Sequence, residues 1–284
     1  MPDFLLVKVS LLMIISFHPC IAADVHIILG DRLPDEKEHL LLTKADAVIL
    51  PQGCTKELFH ICANLKVPIF PEYRYRFEYP GKIGQVNLFK RFSLPHPCSI
   101  PLNRVEEVFE KREFFLKKLP FFLKENMKHE GYGIYFVRDL KDIENIKNKI
   151  SDEVLVQEFI KCEGNVLRVV IIGDELISYW KRPLKKGQLI TTISSNAKID
   201  HNWNPYLQEK GKNLVKELIS KTGINLAAVD IVFKKEEPLF LEINYYFGRK
   251  GIGGSERYYK LLLSAVKKWL LQKGLSTKSL KLIC

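Results

Sequence analysis

From residue 13 to about residue 94 the chain alternates short apolar runs with stretches of helical period. Ile14–Phe17, Val25–Leu29, Ala47–Leu50 and Val67–Phe70 have the length and composition of buried strands, and helices are predicted between them over Asp35–Thr43 and Thr55–Asn64. Strand and helix in turn is the order of a small parallel α/β sheet. A further helix is predicted over Lys82–Phe92, after which Pro95, Pro97 and Pro101 mark a link into the next unit.

The rest of the chain has a different rhythm. A charged amphipathic helix is predicted over Val105–Lys118, and Pro120 opens a strand, Phe121–Lys124. A polar turn with glycines, Asn126–Gly133, leads to a second strand, Ile134–Val137, and Asp139 is a good N-cap for a helix that reaches Ile150. Four strand-like runs follow: Val154–Ile160, Val166–Ile172, Glu175–Trp180 and Leu189–Ile193. The helix predicted over Pro205–Thr222 places Leu207, Leu214, Val215, Leu218 and Ile219 on one face, the spacing of a stripe that meets a core. Two strands, Leu226–Phe233 and Leu239–Ile243, and a last helix, Ser255–Lys273, complete the pattern.

Composition adds a globular character, with 46% hydrophobic and 27% charged residues, and no stretch reaches the length of a spanning helix. The net charge of +11 admits a polyanionic partner. Yet the lysines are spread along helices that alternate Lys with Glu (Arg104–Lys118, Lys141–Lys149, Lys210–Lys221), the usual pattern of a solvated face. No RNA-binding aromatic motif or zinc-finger spacing goes with them, so nucleic acid is not the expected partner. Cys20, Cys54, Cys62, Cys98, Cys162 and Cys284 show no C-x-x-C pair and no metal spacing with histidine, and read as buried thiols of a reducing cytoplasm. Phe4–Ala23 is apolar enough to imitate a secretory leader. Asp3 precedes it, Lys8 interrupts it, and it runs straight into Asp24–Gly30 as a continuing α/β pattern, so the expectation is a cytoplasmic protein whose natural start is Met13.

Two groups of residues can carry chemistry. Lys124 ends a strand just before Lys128–Gly133, where Gly131 and Gly133 would let backbone amides approach an anion beside a fixed ammonium. By itself this is also the pattern of a surface lysine before a hairpin turn. The second group is Asp230 with Glu242 and Asn244, on two strand-like runs. Alternation along a strand puts Glu242 and Asn244 on one face, and an antiparallel neighbour would bring Asp230 opposite them. Three such oxygen donors, set in apolar strands, suit magnesium better than they suit a wet acidic edge.

Lys124 with its glycine loop, Val154–Ile160, Asn165–Val170, Asp230 and Leu241–Asn244, in that order, resemble the ATP-grasp superfamily, and within it the branch of glutamate ligases that act on ribosomal-protein tails. The resemblance covers about residues 80–270. It implies a small α/β pre-ATP-grasp domain (1–94) followed by an ATP-grasp fold of two α+β lobes clamping ATP, a small lobe (95–155) and a large lobe with the magnesium site (156–284).

By the same resemblance Lys124 contacts phosphates under the loop of Gly131 and Gly133, and Gln157, Glu158, Phe159 and Ile160 form the hinge that reads adenine. Asp230, Glu242 and Asn244 hold magnesium, or manganese in its place, while Arg168 and Arg182 face the reacting phosphate. This chain has Val166 where those ligases carry an aspartate, so Glu163 is the substitute for the ribose contact. Ile190–Thr192 lacks the arginine of their Arg-Ser-Asn stretch. After Asn244 comes an aromatic and basic segment: Tyr245, Tyr246 and Phe247 are expected mainly to pack in the core, and Arg249 and Lys250 are either substrate contacts or solvated charges. The activity implied is an ADP-forming ligation of a carboxylate to an amine, the acceptor being free or the tail of a peptide or protein. A small-molecule kinase and a nucleotide-binding sensor without turnover are the alternatives on the same scaffold.

Overall fold

The computed structural model describes residues 12–128, 131–150, 153–185, 187–189 and 197–284. Residues up to Pro71 together with Gly253–Cys284 form one compact unit, and Glu72–Ile252 form the other.

The first unit is the parallel α/β layer expected from its alternating pattern. Strands β1 (Ile14–Ser16), β2 (Ile21–Ala22) and β3 (Val25–His26) precede helix α1 (Glu36–Leu42), β4 (Ala47–Ile49), α2 (Lys56–Ala63) and β5 (Ile69–Phe70). The parallel sheet runs β3-β1-β4-β5. The centre of that sheet is largely apolar: Ile14, Ile15, Ala47, Val48 and Ile49 are all buried, and the buried Ser16 hydroxyl donates to the Ile21 carbonyl. Asp35 and Glu38 close a reciprocal capping box at the start of α1, satisfying backbone donors that the first turn leaves open.

The second unit opens with α3 (Arg74–Glu78) and α4 (Gly81–Arg91) and contains two antiparallel sheets. The first has β6 (Ser99–Leu102), β7 (Phe121–Glu125), β8 (Ile134–Val137) and β9 (Val154–Glu158) in the order β6-β9-β7-β8. Strand β6 is absent from the sequence reading because Pro101 lies in it. It is an edge strand, where a residue without an N–H is tolerated. The long helix predicted over 105–118 is broken at Lys111 (φ −108°, ψ 35°) into α5 (Glu107–Glu110) and α6 (Arg112–Leu116), which pack Val108 and Phe115 into one core with Phe121 and Leu123. Helix α7 (Leu140–Glu144) starts at the Asp139 cap as expected but ends early.

The second sheet has β10 (Val166–Ile172), β11 (Glu175–Arg182), β12 (Lys198–Asp200), β13 (Leu226–Lys234) and β14 (Glu237–Asn244) in the order β12-β11-β10-β13-β14. Helix α8 (Pro205–Thr222) spans the predicted residues and buries Leu214, Val215 and Leu218. Most of the run Leu189–Ile193, including Ile190–Thr192, lies outside the described residues.

The chain then returns to the first unit as α9 (Gly254–Gln272) and β15 (Lys281–Leu282), which pairs antiparallel with β2. Beside that pair Cys20 and Cys284 are joined in a disulfide, Cα–Cα 5.1 Å. This corrects the reading of all six cysteines as thiols. Cys54 and Cys62 are buried thiols, and burial pushes Cys62 up to about 12, whereas Cys98 is exposed. Among the described residues no helix is long and apolar enough to cross a membrane.

Helix α4 gives the first test. Gly84 packs so close to the preceding turn that a Cβ there would stand 2.7 Å from the Tyr79 carbonyl oxygen. An unhindered Gly→Ala exchange inside a helix gains roughly 1 kcal/mol. Gly84→Ala is instead expected to cost about 1–3 kcal/mol by overpacking against backbone that has nowhere to go. Urea unfolding checks the sign.

Candidate active site

The register of the larger sheet assembles the site. Arg168 pairs across the ladder with Asp230, Asp230 with Glu242, and Ala228 with Asn244. Cross-strand partners share a face, so Arg168, Asp230, Glu242 and Asn244 project together. Val166 faces Lys181 in the same way, which adds that lysine to the group. The guanidinium of Arg168 donates through Nε to Asp230 Oδ1 (2.7 Å) and through Nη2 to Oδ2 (2.8 Å). Lys181 Nζ donates to Oδ2 at 2.7 Å. Asn244 Nδ2 lies 2.8 Å from Glu242 Oε1 and 3.5 Å from Asp230 Oδ2.

Burial governs the electrostatics. Asp230 is 1% exposed, Lys181 4% and Arg168 8%. Desolvation alone would push the Asp230 carboxyl up, but the Arg168 and Lys181 charges overcome it and hold Asp230 well below the usual carboxylate range. Burial lowers the Lys181 ammonium, and Asp230 recovers only part of that shift. Next to Arg168 the buried Tyr179 hydroxyl has no hydrogen-bond partner among the described residues.

The same face is apolar toward its other end. Val166 and Val232 pack with Ile160 of the connection between β9 and β10, and Cys162, Leu239 and Leu241 border them. Phe159, one residue earlier, packs instead on Phe122 and Phe136 of the smaller sheet, with ring centroids 5.7 and 4.9 Å away. Two adjacent hinge residues thus anchor to different sheets.

On the smaller sheet Phe122 pairs with Gln157 across the ladder, and Lys124, two residues on from Phe122, shares its face. Lys124 Nζ donates to Gln157 Oε1 at 2.6 Å, and Gln157 Nε2 donates to Ser99 Oγ at 3.1 Å. Burial pulls the Lys124 ammonium down to about 8, partly offset by the charges of Glu242 and Asp230. Gly131 (φ +84°) and Gly133 (φ +66°) adopt the left-handed backbone that favours glycine. A Cβ on Gly133 would lie 2.6 Å from the buried Glu125 carboxylate, so the loop rests directly on that side chain.

A family model described as a RimK-like ATP-grasp domain matches residues 93–264. This chain belongs to the RimK-like ATP-grasp family. Among curated relatives it is 28% identical over 139 residues to a probable alpha-L-glutamate ligase 2 of Hahella chejuensis, which covers 47% of this chain and 44% of that protein. It is 25% identical over 177 residues to a probable alpha-L-glutamate ligase 2 of Shewanella denitrificans, covering 60% and 57%. The fold matches a RimK domain ATP-grasp protein from Sphaerobacter thermophilus with TM-score 0.58 at 16% identity, covering 88% of this chain and 97% of that one. It also matches the VanG D-Ala:D-Ser ligase of Enterococcus faecalis with TM-score 0.58 at 20% identity, covering 78% and 72%.

In this ATP-grasp domain the predicted residues fall into distinct places. Arg168, Asp230, Glu242 and Asn244 come together, and Lys124 lies within electrostatic reach of Glu242 and Asp230. Arg182 does not join them. It is one residue from Lys181 on β11 and so points to the opposite face, where it pairs with Asp200 at 3.1 Å and stacks on Trp203 at 4.6 Å. On β11 it is Lys181, not Arg182, that shares the face of Arg168 and bonds Asp230.

The hinge residues part company as well. Gln157 holds Lys124 through its side chain, Glu158 pairs with Lys234, and Glu163 is exposed at a turn with φ +52°. Tyr245 and Phe247 are buried as expected while Tyr246 is 74% exposed; Arg249 is half-buried and Lys250 exposed. A further contributor has no sequence signature. Gln85 on α4 exchanges two hydrogen bonds, 2.9 and 2.8 Å, with the backbone of Ile243, and so pins the edge strand between Glu242 and Asn244.

The donor set fits a hard divalent cation in kind, since two carboxylates and an amide offer oxygens. No three His, Cys, Asp or Glu among the described residues cluster to hold a metal, so an ion here would also need oxygens from phosphate or water. The orientation of the Asn244 amide is set by the hydrogen bond it donates, and as a ligand it would present its oxygen instead.

Removing one member of a buried charge group strands the others. Asp230→Asn is expected to cost about 3 kcal/mol in chemical unfolding, because Arg168 and Lys181 lose their counter-charge. Glu242→Gln, half-buried and outside that pairing, is expected to cost about 1 kcal/mol or less. Equal losses would show that Asp230 carries no more of the fold than Glu242.

Proposed function

We propose that this chain is an ADP-forming ligase that joins a carboxylate to an amine with ATP and magnesium. The observation that carries this reading is the division of one sheet face into an apolar half around Val166, Val232 and Leu241 and an ionic half around Asp230. The apolar half suits an adenine ring and the ionic half suits a metal-bound triphosphate. The two antiparallel sheets of residues 99–244 then act as the small and large lobes, with the Phe159–Ile160 hinge between them, and residues up to 94 as the preceding domain. Curated relatives named as probable alpha-L-glutamate ligases support glutamate as one reactant, and the proposed acceptor is free or the tail of a peptide or protein.

In this proposal Lys124 and the backbone of Gly131 and Gly133 hold the outer phosphates, and Arg168 faces the transferring phosphoryl group. Asp230, Glu242 and Asn244 hold the metal, whose charge neutralises the triphosphate when bound. A carboxylate oxygen of the substrate attacks the γ-phosphorus and ADP leaves. The amine then attacks the carbonyl carbon of the acyl phosphate, phosphate leaves, and the amine gives up a proton. Loop closure keeps water from the acyl phosphate in the interval. Glu163 is the proposed ribose contact.

With a competent carboxylate and amine, nucleotide analysis is expected to show ADP and phosphate in equal amounts with an amide product. AMP, or ADP with a stable phosphorylated acceptor, would remove the ligase assignment. Incubation with candidate pairs and mass spectrometry of the products checks this.

Lys124 supplies a second test. Its ammonium loses its proton as pH rises through about 8, whereas an unperturbed lysine keeps it to roughly 10.4. Phosphate binding needs the protonated form, so nucleotide affinity is expected to fall as pH rises above that point. Lys124→Met is expected to raise the ATP dissociation constant roughly ten- to hundred-fold near neutral pH, the worth of a charge-assisted bond, and to flatten the pH dependence. Calorimetry between pH 7 and 9.5 on both proteins measures it.

A further inference from the structure

We propose that Lys181 guards Asp230, so that a divalent cation enters this site only together with nucleotide. The inference rests on the ligase reading above for the presence of nucleotide and metal, and on the local geometry for the role of the lysine.

Both carboxylate oxygens of Asp230 are engaged. Oδ1 accepts from Arg168 Nε, and Oδ2 accepts from Arg168 Nη2 and from Lys181 Nζ. A carboxylate has about four lone-pair positions, and three of them here face cationic donors. Asp230 is 1% exposed, so solvent does not compete for it. The immediate charges are Asp230 and Glu242 against Arg168, Lys181 and Lys124, that is −2 + 3 = +1. A lone divalent cation would enter against that balance. A triphosphate reverses its sign, and it offers an ammonium group new oxygens.

Of the two cations on Asp230, Lys181 is the one able to leave. Arg168 is held by two parallel bonds from a planar fork, which lose their geometry together. Lys181 is a point charge on a flexible four-carbon stem with a single bond to the carboxylate. Its departure toward phosphate frees Oδ2 next to Glu242 and Asn244. Lys181 is thus a positioning residue, acting on the metal through Asp230. The positional logic also accounts for the choice of neighbour: Arg182 faces the other side of the sheet and has no access to Asp230.

Manganese serves as the probe, with free ion read by electron paramagnetic resonance and the full-length protein used throughout. Wild type is expected to take up manganese weakly alone and far more tightly with ADP. Lys181→Met is expected to bind manganese without ADP at least about ten-fold more tightly than wild type, the scale of removing one unit charge at a partly buried site. Lys181→Arg keeps the charge and should keep the dependence on ADP. Adding Glu242→Gln to Lys181→Met should abolish the gain, which places the bound ion at this site. Thermal melting confirms that each variant is folded, and Lys181→Gln replaces Lys181→Met if the latter is not.

The proposal is overturned if folded Lys181→Met binds manganese no better than wild type, or if wild type binds it equally well with and without ADP. Calorimetry of wild type with ADP separates the two levels. ADP binding without the variant's gain removes only the role of Lys181, whereas no ADP binding removes the nucleotide reading together with it.

Discussion

A single buried carboxylate sets the terms for the larger sheet. Asp230 sits on β13, an inner strand between β10 and β14, among apolar neighbours, and an isolated charge there would be prohibitively costly. It is tolerated because the antiparallel register places Arg168 directly across one ladder and Glu242 directly across the other. A one-residue slip of β10 would carry Arg168 to the opposite face and leave the carboxylate with one cation fewer. The ionic group therefore specifies pairing as well as chemistry, and the irregularity between Asp230 and Ile231 falls where the apolar half of the face gives way to the ionic half.

The edge of that sheet raises a different problem. Strand β14 carries Glu242 and Asn244 but has a neighbour on one side only, so part of its backbone would be unpaired. Gln85 supplies both a donor and an acceptor at Ile243, and Phe240, buried on the other face, stacks on Phe89 with centroids 5.2 Å apart. One helix thus fixes the strand through its backbone and its apolar face at once. The separation of roles is useful to a binding site: Glu242 and Asn244 remain half-buried and approachable while the strand that bears them is held rigid.

Much of this was legible in the residues. Alternation in Ala228–Val232 and Phe240–Asn244 is enough to place Asp230, Glu242 and Asn244 on one face once the strands are antiparallel, and Pro205 with the stripe through Leu214 and Leu218 marks α8 to the residue. The illegible parts have physical causes. Lys181 and Arg182 are adjacent cations on one strand, and only the register with β10 tells which of them faces Asp230. Gln85 and the disulfide between Cys20 and Cys284 join residues 158 and 264 positions from their partners, beyond the reach of any local pattern. The break at Lys111 runs against a continuous amphipathic signal, because packing Val108 and Phe115 into one core outweighs helix propensity.

The segment expected to form the hinge sends its side chains to different places. Gln157, Glu158, Phe159 and Ile160 were expected to form the hinge that reads adenine, yet their side chains go separate ways, Glu158 to Lys234. Gln157 turns to Lys124, Phe159 to the rings of the smaller sheet and Ile160 to the apolar face of the larger one. The consequence is a coupling. Phe159 and Ile160 tie the connection to both sheets, and the strand leading into it carries Gln157, which holds Lys124. Apolar anchoring at one end and the buried Lys124–Gln157 bond at the other fix the strand between them.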